Sequence, residues 1–302
     1  MPIRFNNPFA AEGNWYKGNL HAHTTNSDGK LSPEETIKIY ADAGYHFLAL
    51  ADHYRLSVPE QRSGLLLING EEINCSLTEN RTQYHIVAIN TSREIPRPKK
   101  DPLKIPAQKM INEIRRLGGE AIIAHPYWSA LNVNDFGRIK DYLGIEVFNS
   151  GCFLEVNKGF SAVHWDDLLI KGKNAYGFAT DDAHDIGDEF HQSHIGMSCI
   201  MVRSKKLSVT DIMDAIKKGM FYSSCGPQIK DLSIEDGNIR VKTSQVKTIS
   251  FIAPNGKGSS LTANKREPIT EASFKAGDSE YVRIQCADDN GKMAWTNAIF
   301  FK

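Results

Sequence analysis

The sequence predicts an α/β fold over residues 1–227, built on a largely parallel sheet, followed by a small antiparallel β-sandwich over residues 228–302. Three observations lead there. First, apolar runs recur and end in residues suited to metal binding or acid–base chemistry: Phe47-Leu48-Ala49-Leu50-Ala51-Asp52-His53, Leu65-Leu66-Leu67-Ile68-Asn69-Gly70-Glu71-Glu72, Ala121-Ile122-Ile123-Ala124-His125-Pro126 and Tyr176-Gly177-Phe178-Ala179-Thr180-Asp181-Asp182-Ala183-His184. Near-continuous apolar runs mark strands buried on both faces, and parallel α/β folds gather their functional groups at strand carboxyl ends. Second, segments with helix-capping signals separate these runs. Third, the texture changes after Gly226-Pro227. Short alternating runs such as Ile239-Arg240-Val241-Lys242 are punctuated by the hairpin dipeptides Asp236-Gly237, Asn255-Gly256 and Asn290-Gly291.

Residues 1–13, rich in Asn and Pro, read as an irregular lead-in. Trp15 to Leu20 reads as the first strand, and His21 and His23 follow it. Side chains two apart share one face of an extended chain, so both imidazoles can meet one object, and a metal ion is the candidate. A lone His-x-His is commonplace; repeated ligand-type strand ends are what point to a polynuclear metal centre. Asp28, close behind, adds a harder oxygen donor. Ser32-Pro33-Glu34-Glu35 supplies an N-cap, a proline at the first helical position and a capping-box Glu, and the helix stops at Gly44. The strand Phe47 to Ala51 then completes a βαβ unit. His46 precedes that strand and reads as structural.

The strand ending in Glu71-Glu72 is followed by a polar segment, Asn74 to Thr82, expected to be a loop. Tyr84-His85-Ile86-Val87-Ala88 carries its His near the strand's start instead of its end. Arg93 to Pro106, with four prolines, reads as a long loop of the kind that binds or covers a ligand. A helix from Ala107 to Leu117 closes on Gly118-Gly119 before the His125 strand. Leu143 to Phe148 reads as a strand carrying Glu146 and followed by Asn149, then a helix from Ala162 to Ile170, then the strand ending at Asp182-x-His184. Asp185 to His194 is polar and holds His191 and His194 beside the expected mouth, where they are candidate substrate contacts. A strand from Ser198 to Val202 and a helix capped by Ser208 with Asp211 complete this part.

Lys plus Arg and Asp plus Glu are both 36. A net charge of zero offers no bulk attraction for a polyanion, which argues against nonspecific nucleic-acid binding. No run is long and apolar enough to span a membrane, and the N-terminus lacks the apolar core of a signal peptide. The five cysteines are widely spaced without Cys-x-x-Cys, as expected of reduced thiols in a cytoplasmic protein. All ten histidines lie between His21 and His194. Chemistry and the C-terminal part therefore look separable.

Taken together, His21-x-His23 with Asp28, Asp52-His53, Gly70-x-Glu72, His85, His125-Pro126 and Asp182-Ala183-His184 resemble the PHP family, the polymerase and histidinol phosphatase superfamily. The resemblance covers roughly Asn14 to Pro227. The tail, from Phe221-Tyr222-Ser223-Ser224-Cys225-Gly226-Pro227 onward, is similar to the branch that includes carbaryl hydrolase. The family implies a distorted seven-stranded β/α barrel, the PHP barrel, with two or three divalent metal ions (zinc, manganese or iron) at its mouth. It implies one site of His21, His23, Glu72 and Asp182, with Glu72 bridging to a second made with His85 and His125. A third would use Asp28, His53 and His184. Some family members carry His where this chain has Asp28, so the third ion's identity is open. Two cations held by one carboxylate lower the pKa of a shared water, the expected nucleophile.

Asp52 and Asp181 are candidate catalytic acids for the leaving alkoxide, or carboxylates that hydrogen-bond a ligand His. Arg55 is a candidate anion contact. Strand alternation lets only one of Glu71 and Glu72 point inward, and the family spacing selects Glu72. The expected function is a metal-dependent phosphoesterase acting on a small phosphate ester or diester. Two alternatives stand beside it: a carbamate, ester or amide hydrolase with the same centre, and a non-catalytic, metal-stabilised binding protein.

Overall fold

The computed structural model describes residues 3–58, 64–96, 101–184, 187, 192–264 and 267–301. The chain opens with β1 (Ile3–Arg4), β2 (Asn14–Asn19), α1 (Pro33–Asp42), β3 (Phe47–Leu50), β4 (Leu66–Leu77), β5 (Gln83–Ile89), α2 (Ala107–Arg116), β6 (Glu120–Ile123) and α3 (Val133–Gly137). Then come β7 (Gly144–Asn149), α4 (Ser150–Val156), α5 (Ala162–Ile170), β8 (Tyr176–Thr180), β9 (Cys199–Ser204), α6 (Val209–Lys217) and β10 (Phe221–Ser224). The C-terminal part is all strand: β11 (Ile229–Glu235), β12 (Asn238–Val246), β13 (Thr248–Ile252), β14 (Ser259–Thr262), β15 (Ile269–Lys275), β16 (Tyr281–Ala287), β17 (Met293–Thr296) and β18 (Ile299–Phe301). No described helix is long and apolar enough to cross a membrane.

Strands β2 to β8 lie side by side in chain order within one large sheet. The sheet curls back on itself: Ala22, just past β2, bridges Ala183, just past β8, through His23 N–H donating to the Ala183 carbonyl at 2.9 Å. The result is a mixed α/β, barrel-like layer in which both faces of the strands are covered. Phe47, Ala49, Val87, Ile89 and Ile122 join one buried cluster. Their neighbours face the other way: Leu48 and Leu50 pack with Ile37 and Tyr40 of α1, and Ile86, Ala88, Ala121 and Ile123 with Ile111 and Ile114 of α2. This double burial is why the runs read as continuously apolar.

The pairing is not uniformly parallel. β2/β3, β3/β4, β6/β7 and β7/β8 are parallel, whereas β5 runs antiparallel to both β4 and β6. That reversal accounts for the unusual place of His85. In an antiparallel strand the start lies at the edge where parallel neighbours end, so a His near the beginning of β5 reaches the same rim. The segment Asn74 to Thr82, expected as a loop, is strand as far as Leu77, because β4 and β5 form a long hairpin with Glu72 opposite Val87 and Cys75 opposite Tyr84. α3 and α4 were not anticipated; both are short and capped by Asn, at Asn132 and Asn149.

The predicted helix starts hold. Ser32 and Glu35 make the reciprocal capping box of α1, and Ser208 caps α6 by accepting from Asp211 N–H. All the C-terminal strands pair antiparallel, in two layers. β11, β12 and β15 form a three-stranded sheet, whereas β13, β14, β16, β17 and β18 belong to the large sheet. Leu232, Val241 and Ala272 of the first layer share one cluster with Ile249, Val282 and Ile284 of the second. The second layer continues directly from the first part of the chain, since β10 pairs with β9 on one side and β17 on the other. Arg283 of β16 adds a bidentate ion pair to Asp166 of α5, both nitrogen–oxygen distances being 2.6 Å.

Candidate metal centre

Nine donor residues converge at the rim where β2, β3, β6 and β8 end, β5 begins and the middle of β4 passes. Among the described residues four overlapping sets have ligand atoms within 4.8 Å of one another, three of them made of these nine residues alone: His21, His23, Glu72 and Asp182; Glu72, His85 and His125; and His23, Asp28, His53 and His184. Glu72 lies at the middle. Its Oε1 is 2.8 Å from His85 Nδ1 and 3.3 Å from His125 Nε2, and its Oε2 lies 3.4, 3.3 and 3.3 Å from His21 Nε2, His23 Nε2 and His53 Nδ1. Asp182 Oδ1 is 3.2 Å from both His21 Nε2 and His23 Nε2. Asp28 faces His53 and His184 from the outside, each at 3.4 Å.

The imidazoles are aimed by their other nitrogens. His21 Nδ1 donates to Glu146 Oε1 at 2.7 Å, and His184 Nδ1 to the Asp182 carbonyl at 3.0 Å, which turns each Nε2 lone pair inward. His125 Nδ1 lies 3.0 Å from Ser129 Oγ, and His23 Nδ1 3.3 Å from Ser27 Oγ. His125 and Asp182 both adopt positive φ, +27° and +50°. Such conformations cost on the order of 1–3 kcal/mol each in non-glycine residues. Both are tied down, His125 N–H donating to Glu146 Oε2 and Asp182 N–H to the His21 carbonyl, each at 2.8 Å. Gly70 is required by close packing: a Cβ there would meet the Leu50 carbonyl oxygen at 2.6 Å, and β3 could not approach the Gly-x-Glu segment.

The charges fit a cation-binding cluster. Burial opposes ionisation of Glu72, yet His21 and His85 outweigh it and hold its carboxyl well below the usual range. Burial likewise opposes a charged His21, but Asp182, Glu146 and Glu72 raise its pKa well above the ordinary value. Without cations, protons on imidazole must neutralise these buried carboxylates. Asp182 Oδ1 and His53 Nδ1 are buried without a hydrogen-bond partner. Orphaned donors closing on shared points at 3.2–3.3 Å, with mixed nitrogen and oxygen chemistry, fit a divalent ion.

The other expected site residues fall elsewhere. Asp52 is fully buried behind the ligand layer, accepting from Thr24 N–H at 2.7 Å, Thr24 Oγ1 and Ser27 Oγ at 2.8 Å, and the Ser57 hydroxyl. Asp181 is equally enclosed and accepts from Tyr40, Ser150, Gly196 N–H and Ser198. Neither reaches the cavity, so the acid role expected of them does not fit, and neither hydrogen-bonds a ligand His: they brace the loops that carry Asp28 and Asp182. The carboxylate that does orient a ligand His is Glu146. Its sequence signal was a lone acid inside the apolar run Gly144–Asn149.

The cavity over the cluster, ≈ 280 Å³, is lined by seven of the nine donors, all but His21 and His23, together with Trp128, Gly151, Cys152 and Glu155. Arg55 and His194 are not among its described lining residues; Arg55 is exposed and His194 is buried. His191 lies outside the described residues. Glu71 points away from the donors and accepts from Ile95 N–H at 2.9 Å; burial pushes its carboxyl up to about 7.

No family model matches the chain. Among curated proteins it is similar to a 5'-3' exoribonuclease of Haemophilus influenzae, 35% identical over 105 residues, which is 33% of this chain and 36% of that protein. The match thus spans about a third of that relative's length. Among solved structures it aligns with a two-domain protein from Bacteroides vulgatus containing a "predicted PHP-like metal-dependent phosphoesterase", at 16% identity over 98% of this chain and 99% of that one, with a TM-score of 0.46. An amidohydrolase from Chromobacterium violaceum aligns at 18% identity over 55% of this chain and 87% of that one, with a TM-score of 0.42.

Proposed function

We propose that the protein is a PHP-type metal-dependent hydrolase of small phosphate esters or diesters, with two or three divalent ions at the mouth of a seven-stranded barrel. The observation that carries the reading is Glu72, a buried carboxylate whose two oxygens serve two different donor sets. Ions bound there would supply Lewis-acid charge and a water of lowered pKa. The chain's own residues do the rest. Glu72 spaces the donor sets, Glu146 fixes the tautomer and direction of His21, and Asp52 holds the Thr24–Ser27 turn that presents Asp28. The burial of His21, His23, Glu72 and Asp182 excludes water from all but the cavity side.

A second reading, hydrolysis of a carbamate, ester or amide, is favoured by one feature. The described cavity wall carries Asp28, Glu72, Glu155 and Asp182 but no Lys or Arg, so a neutral substrate meets no missing partner. We further propose a division at residue 227/228 and kinship to the carbaryl hydrolase branch. Elemental analysis after reconstitution with Mn²⁺, Fe²⁺ or Zn²⁺, followed by turnover of nitrophenyl phosphates against nitrophenyl esters, tests both. At least two equivalents of metal with phosphate-ester turnover support the first reading, and ester turnover alone the second. Less than one equivalent would defeat both.

A further inference from the structure

We propose that Cys152 is a sulfur ligand of this metal centre, drawing a thiophilic divalent ion to a site shared with His125 and Asp182. The inference rests on the metal-dependent reading above. Cys152 is buried at 4% exposure, yet it lines the cavity beside the donors. Its Sγ is 3.8 Å from Asp182 Oδ2, His125 Nε2 is 3.7 Å from the same oxygen, and the three ligand atoms lie within 4.8 Å of one another. Metal bonds of about 2.0 Å to nitrogen or oxygen and about 2.3 Å to sulfur put tetrahedral neighbours roughly 3.3 Å apart between nitrogen and oxygen and roughly 3.5 Å apart between oxygen and sulfur. The measured edges at Asp182, 3.7 Å to nitrogen and 3.8 Å to sulfur, are each longer by roughly 0.3–0.4 Å, so the three side chains would draw together slightly around an ion.

The local chain is built to bring the thiol there. Asn149 ends β7 and caps α4, its Oδ1 accepting from Cys152 N–H at 2.9 Å while its Nδ2 donates to Asp182 Oδ2 at 3.1 Å. One side chain thus pins the cysteine backbone and the carboxylate together. Gly151 permits the contact: a Cβ there would meet the Asp182 carbonyl oxygen at 2.6 Å and push α4 away. Asp182 is itself 6% exposed; its Oδ2 faces Cys152 and His125, while its Oδ1 faces His21 and His23 at 3.2 Å. The other four cysteines are buried and belong to no donor set among the described residues.

His125 Nε2 also lies 3.3 Å from Glu72 Oε1. One imidazole nitrogen holds one ion, so two donor sets compete around it: Glu72 with His85, all nitrogen and oxygen, and Asp182 with Cys152, which adds sulfur. Manganese, a hard ion, suits the first; zinc and ferrous iron accept the second. On binding, the thiol loses its proton to solvent as the sulfur–metal bond forms, and no electrons change hands.

Cobalt(II) is the probe, since thiolate ligation adds a near-ultraviolet charge-transfer band that nitrogen and oxygen ligands do not give. The full-length protein reconstituted with Co²⁺ should show this band. Cys152→Ser should lose it while keeping the visible cobalt bands, and its preference for Zn²⁺ over Mn²⁺ should fall about tenfold or more. Cobalt bound without the band, or a band unchanged in Cys152→Ser, would overturn the proposal and leave the hydrolase reading standing. If no cobalt, zinc or manganese binds, both fall. Should the variant fail to fold, X-ray absorption of the zinc-loaded native protein decides alone: a sulfur scatterer at about 2.3 Å supports the site, and a shell of nitrogen and oxygen only refutes it.

Discussion

Replacing Glu72 by Gln tests the centre at its narrowest point. The two carboxylate oxygens face five imidazole nitrogens, at 2.8 and 3.3 Å through Oε1 and at 3.3–3.4 Å through Oε2. The amide keeps the shape but turns one oxygen into an N–H donor aimed at lone pairs that are meant for cations. It also removes the negative charge that two donor sets share. Losing that function should lower turnover by about 10³-fold or more, equivalent to about 4 kcal/mol in the barrier. Glu71→Gln, one residue away on the opposite face, removes a carboxylate that touches only Ile95 N–H among hydrogen-bond donors and should change turnover by less than about threefold. Both variants would be assayed on whichever nitrophenyl substrate the native protein turns over, with metal content measured on the same samples. Near-native turnover in Glu72→Gln with two ions retained would refute the bridging role. An exchange of the two phenotypes would show that the strand register had been misread.

Three further outcomes follow from the contacts. Glu146→Gln should weaken metal binding by about 10–100-fold, measured by competition with a chelator, because His21 loses the carboxylate that fixes its tautomer. Glu71→Gln should raise stability in a pH-dependent way. The folded Glu71 pKa, about 7, lies above its ordinary value, so the protein keeps a protonated, uncharged group at low pH and bears the cost of a buried charge as pH rises through 7. The gain in the variant should be near zero at pH 4.5 and reach roughly 3 kcal/mol at most by pH 8, read from denaturant melts. Arg283→Ala should cost about 3 kcal/mol, since it strands Asp166 and strips a guanidinium that also lies 5.1 Å from the Trp165 ring; metal content should not change.

What the sequence determined by itself was which side chains offer metal-donor chemistry and where they stand along the chain. A metal ligand must be one of a few residue types, and the alternation of an extended chain places His21 and His23 on one side whatever the fold does around them. The capping box of α1 and the Ser208 cap of α6 are equally local, because the partners lie three residues apart. Strand alternation left Glu71 and Glu72 open and the Gly-x-Glu pattern of the resembled family chose Glu72; in the structure Glu72 sits among five imidazoles while its neighbour faces Ile95.

Tertiary structure decided what depends on distance through space. Whether β5 runs parallel or antiparallel cannot be read from its composition, yet its direction is what brings His85 to the rim. Asp52 and Asp181 look like reactive acids in the sequence because they flank ligands. Only the fold shows Thr24, Ser27 and Ser57 around one, and Tyr40, Ser150 and Ser198 around the other. Glu146 and Cys152 were hidden for the converse reason. Each stands in a run whose pattern reads as ordinary strand or loop, and each acquires its role from a residue more than twenty positions away: His21 for Glu146, Asp182 for Cys152. The C-terminal strands show the same limit, since hairpin turns specify local pairing but not that β17 would join β10 and extend the large sheet. Local rules fix the residue and its immediate direction; which distant groups share its site is settled by the closing of the sheet.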